Sequence, residues 1–160
     1  TPPAVPPPEP SAPPIVSRGP VTGLPLPRFA SLSRSEINLR AGPGTRFPVE
    51  WTYQRAGLPV EILRESDTWR RVRDVDGVEG WVQQSRLSGR RTFLVRGGPQ
   101  TLRREPSERA AAVAQLGAGV LGAIRRCAAA SAWCEVEVQG RRGFLPRAAM
   151  WGVYPGEEVR

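Results

Sequence analysis

Two cysteines and one glycine-rich turn are the residues of this chain whose types and spacing bear on chemistry. Cys127 and Cys134 have six residues between them. Two thiols can close a disulfide or stay as buried free thiols, but they supply only half of the four-ligand set that a structural zinc requires. The 160 residues include no histidine. That removes Ser-His-Asp and Cys-His nucleophile systems, histidine-ligated metals and Cys-x-x-Cys-His haem attachment. Glu50 and Glu61 are present, but no pair of carboxylates stands in a recognisable catalytic context, so these read as surface charge. The expectation is a protein with no catalytic residues, no metal and no cofactor.

The turn is the run Asn38-Leu39-Arg40-Ala41-Gly42-Pro43-Gly44-Thr45. Gly42 and Gly44 can take positive φ without steric cost, and Pro43 fixes its own φ. A short strand breaking into such a loop, with further short strands behind it, points to a small β-barrel that binds rather than catalyses.

Charge narrows the partner. The net charge is +8, and all 23 basic residues are arginine. Residues 28–95 hold 12 Arg against 8 acids and residues 96–160 hold 10 against 6, so each half is +4 and the start of the chain is neutral. A nucleic-acid binder concentrates its base on one face. Here the charge reads as a solvated surface, and nucleic acid is not an expected partner. No apolar stretch is long enough to span a membrane.

Residues 1–27 hold 11 of the 18 prolines, with Pro6-Pro7-Pro8 and Pro13-Pro14 favouring extended polyproline II. Residues 1–28 therefore read as an extended arm. Left alone it suits a disordered tether; if ordered, it lies against a partner or against its own domain. The opening Thr1-Pro2-Pro3 fits the product of signal-peptide removal.

From Phe29 the pattern is β. Ile37 and Leu39 share a face, as do Trp51 and Tyr53. Pro59–Leu63, Trp69–Arg73 and Gly80-Trp81-Val82 are further strands, with Asp76-Gly77 as a tight turn and Thr92–Val95 closing the set. The second half repeats this order. Thr101-Leu102-Arg103 answers Asn38-Leu39-Arg40, Pro106 answers Pro43, Trp133 answers Trp69, and Gly143-Phe144-Leu145 answers Gly80-Trp81-Val82. Ala110–Gln115 is too short for a stable helix and reads as strand and loop. In this alignment Cys127 ends one strand and Cys134 begins the next across a hairpin, which favours the disulfide and with it an oxidising compartment such as a periplasm.

These residues resemble tandem bacterial SH3 (Src-homology-3-like) domains of secreted alphaproteobacterial proteins. The likeness rests on Asn38–Thr45, Trp69-Arg70-Arg71-Val72 and Gly80-Trp81-Val82 in the first half. In the second it rests on Leu102-Arg103, Trp133-Cys134-Glu135-Val136, Gly143-Phe144-Leu145-Pro146 and Trp151–Pro155. It implies an all-β fold: two SH3-like barrels in tandem, at 29–95 and 96–160, behind the Pro-rich arm, with Arg96-Gly97-Gly98-Pro99 as linker. The second barrel departs at Arg104-Glu105-Pro106-Ser107, where the absence of glycine implies a loop of different shape. In such barrels the loop and nearby aromatics form a shallow groove, here Arg46, Phe47, Trp51, Tyr53 and Trp69.

The function implied is a non-catalytic accessory subunit that docks on a larger periplasmic or membrane-bound complex through its barrels and arm. The small subunit of a quinoprotein alcohol dehydrogenase is one specific case. The alternative is a cell-wall module that binds peptidoglycan.

Overall fold

The computed structural model describes residues 17–160. The expected arm thus lies mostly outside the described residues. Its last part forms a hairpin of β1 (Ser17–Arg18) and β2 (Pro25–Leu26). Two seven-stranded antiparallel sheets follow. The first holds β3 (Arg28–Leu32), β4 (Ile37–Arg40), β5 (Val49–Tyr53), β6 (Pro59–Ser66), β7 (Trp69–Arg73), β8 (Glu79–Gln83) and β9 (Leu87–Ser88). The second holds β10 (Thr92–Val95), β11 (Gln100–Arg103), β12 (Ala112–Leu116), β13 (Leu121–Arg126), β14 (Trp133–Val138), β15 (Arg141–Pro146) and β16 (Met150–Trp151).

The strand orders are β5-β4-β8-β7-β6-β3-β9 and β12-β11-β15-β14-β13-β10-β16, so the second sheet is the first with every strand advanced by seven. This is the expected pair of barrels. Among the described residues no helix is long and apolar enough to cross a membrane.

Alternation builds each core. Ile37 and Leu39 are buried while Asn38 between them is exposed, and in β14 Cys134, Val136 and Val138 point inward. The two interiors reach the same filling by different residues. In the first barrel Ala30 pairs with Val60; in the second Phe93 pairs with Gly122 at the same register. A Cβ on Gly122 would stand 2.6 Å from the Phe93 ring, so the large side chain on one strand requires glycine on the other.

Three expectations are corrected. Thr92–Val95 does not close the first barrel. It opens the second, pairing with β13 and β16, because Phe93 and Val95 are fully buried in that core. The connection between barrels is therefore Gly89-Arg90-Arg91, and Arg96–Pro99 is a loop inside the second barrel with Gly97 and Gly98 at φ 79° and 92°. The turn at Asp76-Gly77 is wider than a two-residue hairpin: Arg73 pairs with Glu79, leaving Asp74–Val78 as the loop. Its counterpart Gln139-Gly140 is the tight one, with both residues at positive φ between the paired Val138 and Arg141.

The disulfide forms as the strand alignment suggested. Cys127 follows β13, Cys134 lies in β14, and their Cα atoms are 4.5 Å apart. Arg147 braces the intervening loop, donating to the carbonyls of Ala128 and Ser131, each at 2.7 Å.

Candidate functional site

The loop after β4 is held by β4 itself. Arg40 sits opposite Trp81 of β8 and donates to the carbonyls of Thr45 (3.1 Å) and Phe47 (2.9 Å). The Ala41 N–H donates to Pro48 O at 3.0 Å, the Gly44 N–H to Gly42 O at 2.9 Å, and the Phe47 N–H to Gly44 O at 3.2 Å. The bond across Pro43 closes a three-residue turn, and the proline ring fixes φ where such a turn needs it.

Neither Gly42 nor Gly44 stands in the left-handed region. The expected reason for these glycines is thus replaced by another. Phe47 folds back over Gly42, and a Cβ at Gly42 would stand 2.5 Å from the ring. At Gly44 a Cβ would stand 3.5 Å away, an ordinary contact.

The second barrel repeats the three backbone bonds of this loop and one of the two arginine bonds. Arg103 donates to Ala110 O at 2.9 Å. The N–H groups of Arg104, Ser107 and Ala110 donate to the carbonyls of Ala111, Glu105 and Ser107 at 2.9, 2.8 and 3.1 Å. The loop without glycine therefore keeps its shape, contrary to expectation. Glu105 fits where Gly42 stands because Ala110 replaces Phe47. The arginine brace and the proline set the backbone; the glycine answers only to the ring.

The aromatic residues expected to line one groove separate into three places. Arg46 lies over the Phe47 ring, 5.1 Å from its centroid. Trp69 lines a small depression of about 150 Å³ with Asn38, Arg40, Thr45 and Gln83. Trp51 and Tyr53 line a larger one of about 460 Å³ with Leu58, Asp74, Val75 and Asp76.

Trp51 is 53% exposed, whereas Tyr53 is buried and donates its hydroxyl to Asp74 at 2.9 Å. Burial first, and then the Asp74 carboxylate, push the Tyr53 phenol well above its usual range, so it remains a donor. The other Asp74 oxygen accepts from the N–H groups of Asp76 and Val78, both at 2.9 Å, which fixes the loop facing Trp51. Trp81, on a central strand, is buried.

The larger depression ends on Leu94 and Gly119 of the second barrel, so the junction between barrels is part of it. Sequence reasoning missed the residues of that junction. Phe29 packs against Trp151 (5.1 Å, edge-on) and Tyr154 (4.5 Å). Buried Glu61 accepts from Arg73 and from the Tyr154 hydroxyl, each at 2.6 Å. Burial and that carboxylate raise the Tyr154 phenol far above its usual range. Trp151 Nε1 donates to Pro59 O at 3.1 Å, Thr92 Oγ1 to Gly57 O at 2.6 Å, and Arg55 to Gly119 O at 3.1 Å. Arg91, in the connection, chelates Glu157 through two 2.8 Å bonds.

The available signal was register. Phe29 and Glu61 are opposite each other on β3 and β6, where the second barrel has Thr92 and Ala123. An aromatic beside a carboxylate, where the repeat carries two small residues, marks an added surface.

The hairpin β1–β2 is clamped at Glu65, whose side chain is fully buried. It accepts from the backbone N–H groups of Val21 and Thr22 (both 3.0 Å), from the Thr22 hydroxyl, and pairs with Arg28 at 2.9 Å. Burial alone would raise this carboxyl; the hydrogen bonds from Thr22, Arg28 and Val21 outweigh it and hold the pKa down to about 2.

Residues 33–89, and again 96–152, match the bacterial SH3 domain family. The chain belongs to the bacterial SH3 domain family. Both bacterial SH3 domains carry the braced loop within the matched residues. Among solved structures the chain is similar to NlpC2 from Trichomonas vaginalis, at 13% identity and TM-score 0.35 over 78% of this chain and 48% of that one. It is similar to NlpC1 from Trichomonas vaginalis, at 13% identity and TM-score 0.34 over 83% and 48%. It is also similar to an NlpC/P60 family protein from Bacillus cereus, at 12% identity and TM-score 0.35 over 82% and 58%. The chain spans about half the length of these proteins. No curated protein matches it in sequence.

Proposed function

We propose that this tandem bacterial SH3 protein is a non-catalytic interaction module of an exported complex, docking through the Trp51 face of its first barrel. The observation that carries the reading is Trp51 itself. A half-exposed tryptophan walls a depression whose floor is fixed by Tyr53 and Asp74 and whose far end belongs to the second barrel. An aromatic wall beside a few placed polar groups is the composition of a recognition site. The junction through Phe29, Glu61 and Tyr154 keeps the two barrels in the arrangement that completes it. The disulfide supports an oxidising compartment such as the periplasm.

The partner in this reading is a larger protein complex, periplasmic or membrane-bound. Its finest form, the small subunit of a quinoprotein alcohol dehydrogenase, draws on the Pro-rich arm, and the barrels add nothing to it. Peptidoglycan is the second reading, favoured by the family, whose members bind cell-wall polymer or protein. Native mass spectrometry of the complex purified from producing cells, beside co-sedimentation with purified peptidoglycan, separates the two. In either assay Trp51→Ala should release the protein. Retention of Trp51→Ala at the wild-type level in both would refute the assignment of this face.

A further inference from the structure

We propose that the depression beside Trp51 receives a cationic side chain, lysine or arginine, carried on an extended segment of a partner protein that lies along the free edge of β5. The proposal rests on the docking reading above and names what that face recognises.

Three observations lead to it. First, the depression has the charge for a cation. Asp74 and Asp76 stand on the loop facing Trp51, and among the described residues neither is ion-paired. Arg55 also lines it, with its guanidinium engaged by Gly119 O. A tryptophan face next to a carboxylate attracts a cation twice, through the ring quadrupole and through the ion pair. On a chain of net charge +8 this combination selects against the general trend of the surface.

Second, β5 ends the strand order of its sheet. Its outer backbone edge can pair with an extended segment, while Val49 and Trp51, both exposed, offer side-chain contacts two residues apart. That geometry suits a peptide rather than a polysaccharide.

Third, the fold does not require these residues. At the same edge of the second barrel β12 carries Ala112, Ala114 and Leu116 where β5 has Val49, Trp51 and Tyr53. The two-residue turn Gln139-Gly140 replaces the loop bearing Asp74 and Asp76. The second barrel closes the same sheet without the tryptophan or the carboxylates; in the first, Asp74 serves Tyr53 and its own loop, whereas folding does not account for Trp51 or Asp76.

The test uses the full chain, ¹⁵N-labelled, and an acetylated, amidated pentapeptide Ser-Val-Lys-Val-Ser with arginine and norleucine counterparts. The Trp51 indole N–H and the amides of Val75 and Asp76 should shift with the lysine and arginine peptides and not with norleucine. Asp76→Asn should weaken the lysine peptide about two- to five-fold, and added salt should weaken it in the same direction. Equal binding of the norleucine peptide, shifts confined to another surface, or an unchanged Asp76→Asn would each overturn the proposal. Failure of the docking reading looks different. If partner retention drops in Trp51→Ala but not in Asp76→Asn, the face stands and cation recognition falls. If retention survives Trp51→Ala, the face falls too. Binding of peptidoglycan in place of the peptides would likewise overturn it.

Discussion

Substituting Gly42 by alanine separates two explanations of the same glycine. If the loop needed positive φ at Gly42, the cost would be local to the backbone and indifferent to Phe47. The structure locates the cost in a collision: the new Cβ would stand 2.5–2.7 Å from three atoms of the Phe47 ring. Overpacking of this kind costs about 1–3 kcal/mol. Phe47→Ala alone loses a half-buried ring, about 1–2 kcal/mol against the larger loss of a fully buried one.

The second barrel already contains the double replacement, as Glu105 and Ala110 on an identical hydrogen-bond frame. Gly42→Ala in the Phe47→Ala background should therefore cost almost nothing more, giving a coupling of about 1–3 kcal/mol. Urea unfolding of the four proteins measures it, with the m-value serving to check that the unfolded reference is unchanged. Gly44→Ala, with its Cβ at an ordinary 3.5 Å from the ring, is the control and should stay within about 0.5 kcal/mol. Additive costs for Gly42→Ala and Phe47→Ala would refute the reasoning.

Tyr154→Phe leaves one oxygen of buried Glu61 without its donor and should cost about 1–3 kcal/mol; residual dipolar couplings should also show the barrels reorienting, and wild-type couplings would count against the junction as described. Glu65 has its folded pKa lowered from 4.5 to about 2, so the unfolded chain binds the proton more readily between those values. Its contribution, on the order of 3 kcal/mol, is present above pH 4.5 and lost as pH falls toward 2. Glu65→Gln should flatten that part of the stability–pH curve, and an unaltered slope would contradict the clamp. Reducing Cys127–Cys134 should remove about 2–3 kcal/mol and raise amide exchange in β13 and β14; increased exchange in the first barrel with none in the second would tell against it.

The succession of strands along the chain was legible in the sequence because alternation and turn residues report directly on faces and reversals. The boundary at Thr92–Val95 was not, because four apolar-rich residues between two repeats suit the end of one barrel as well as the start of the next; only pairing to β13 and β16 decides. Trp51 and Trp81 are the same residue on neighbouring strand patterns. One is exposed because β5 is an edge, the other buried because β8 is central, and edges follow from the whole sheet order. The glycines of the loop were read through φ because space and φ leave the same residue type behind. The distinguishing sign lay five residues on, at Phe47 against Ala110.

The two barrels, set side by side, separate what the fold demands from what it carries. Where Ala30 and Val60 become Phe93 and Gly122, volume lost on one strand is regained on its neighbour. Where Gly42 and Phe47 become Glu105 and Ala110, the ring and the missing Cβ leave together. Both are compensated exchanges, the mark of a packing constraint. Trp51 becomes Ala114 as the loop facing it shortens to Gln139-Gly140, a joint loss with no volume regained, and Phe29 and Glu61 become Thr92 and Ala123 with no partner restored across the sheet. Uncompensated positions are those that the barrel can lose without penalty to itself. In the first barrel one such set is engaged by the second barrel, through Tyr154 and Trp151. The other, around Trp51, faces solvent, and it is the face proposed above to meet an external partner.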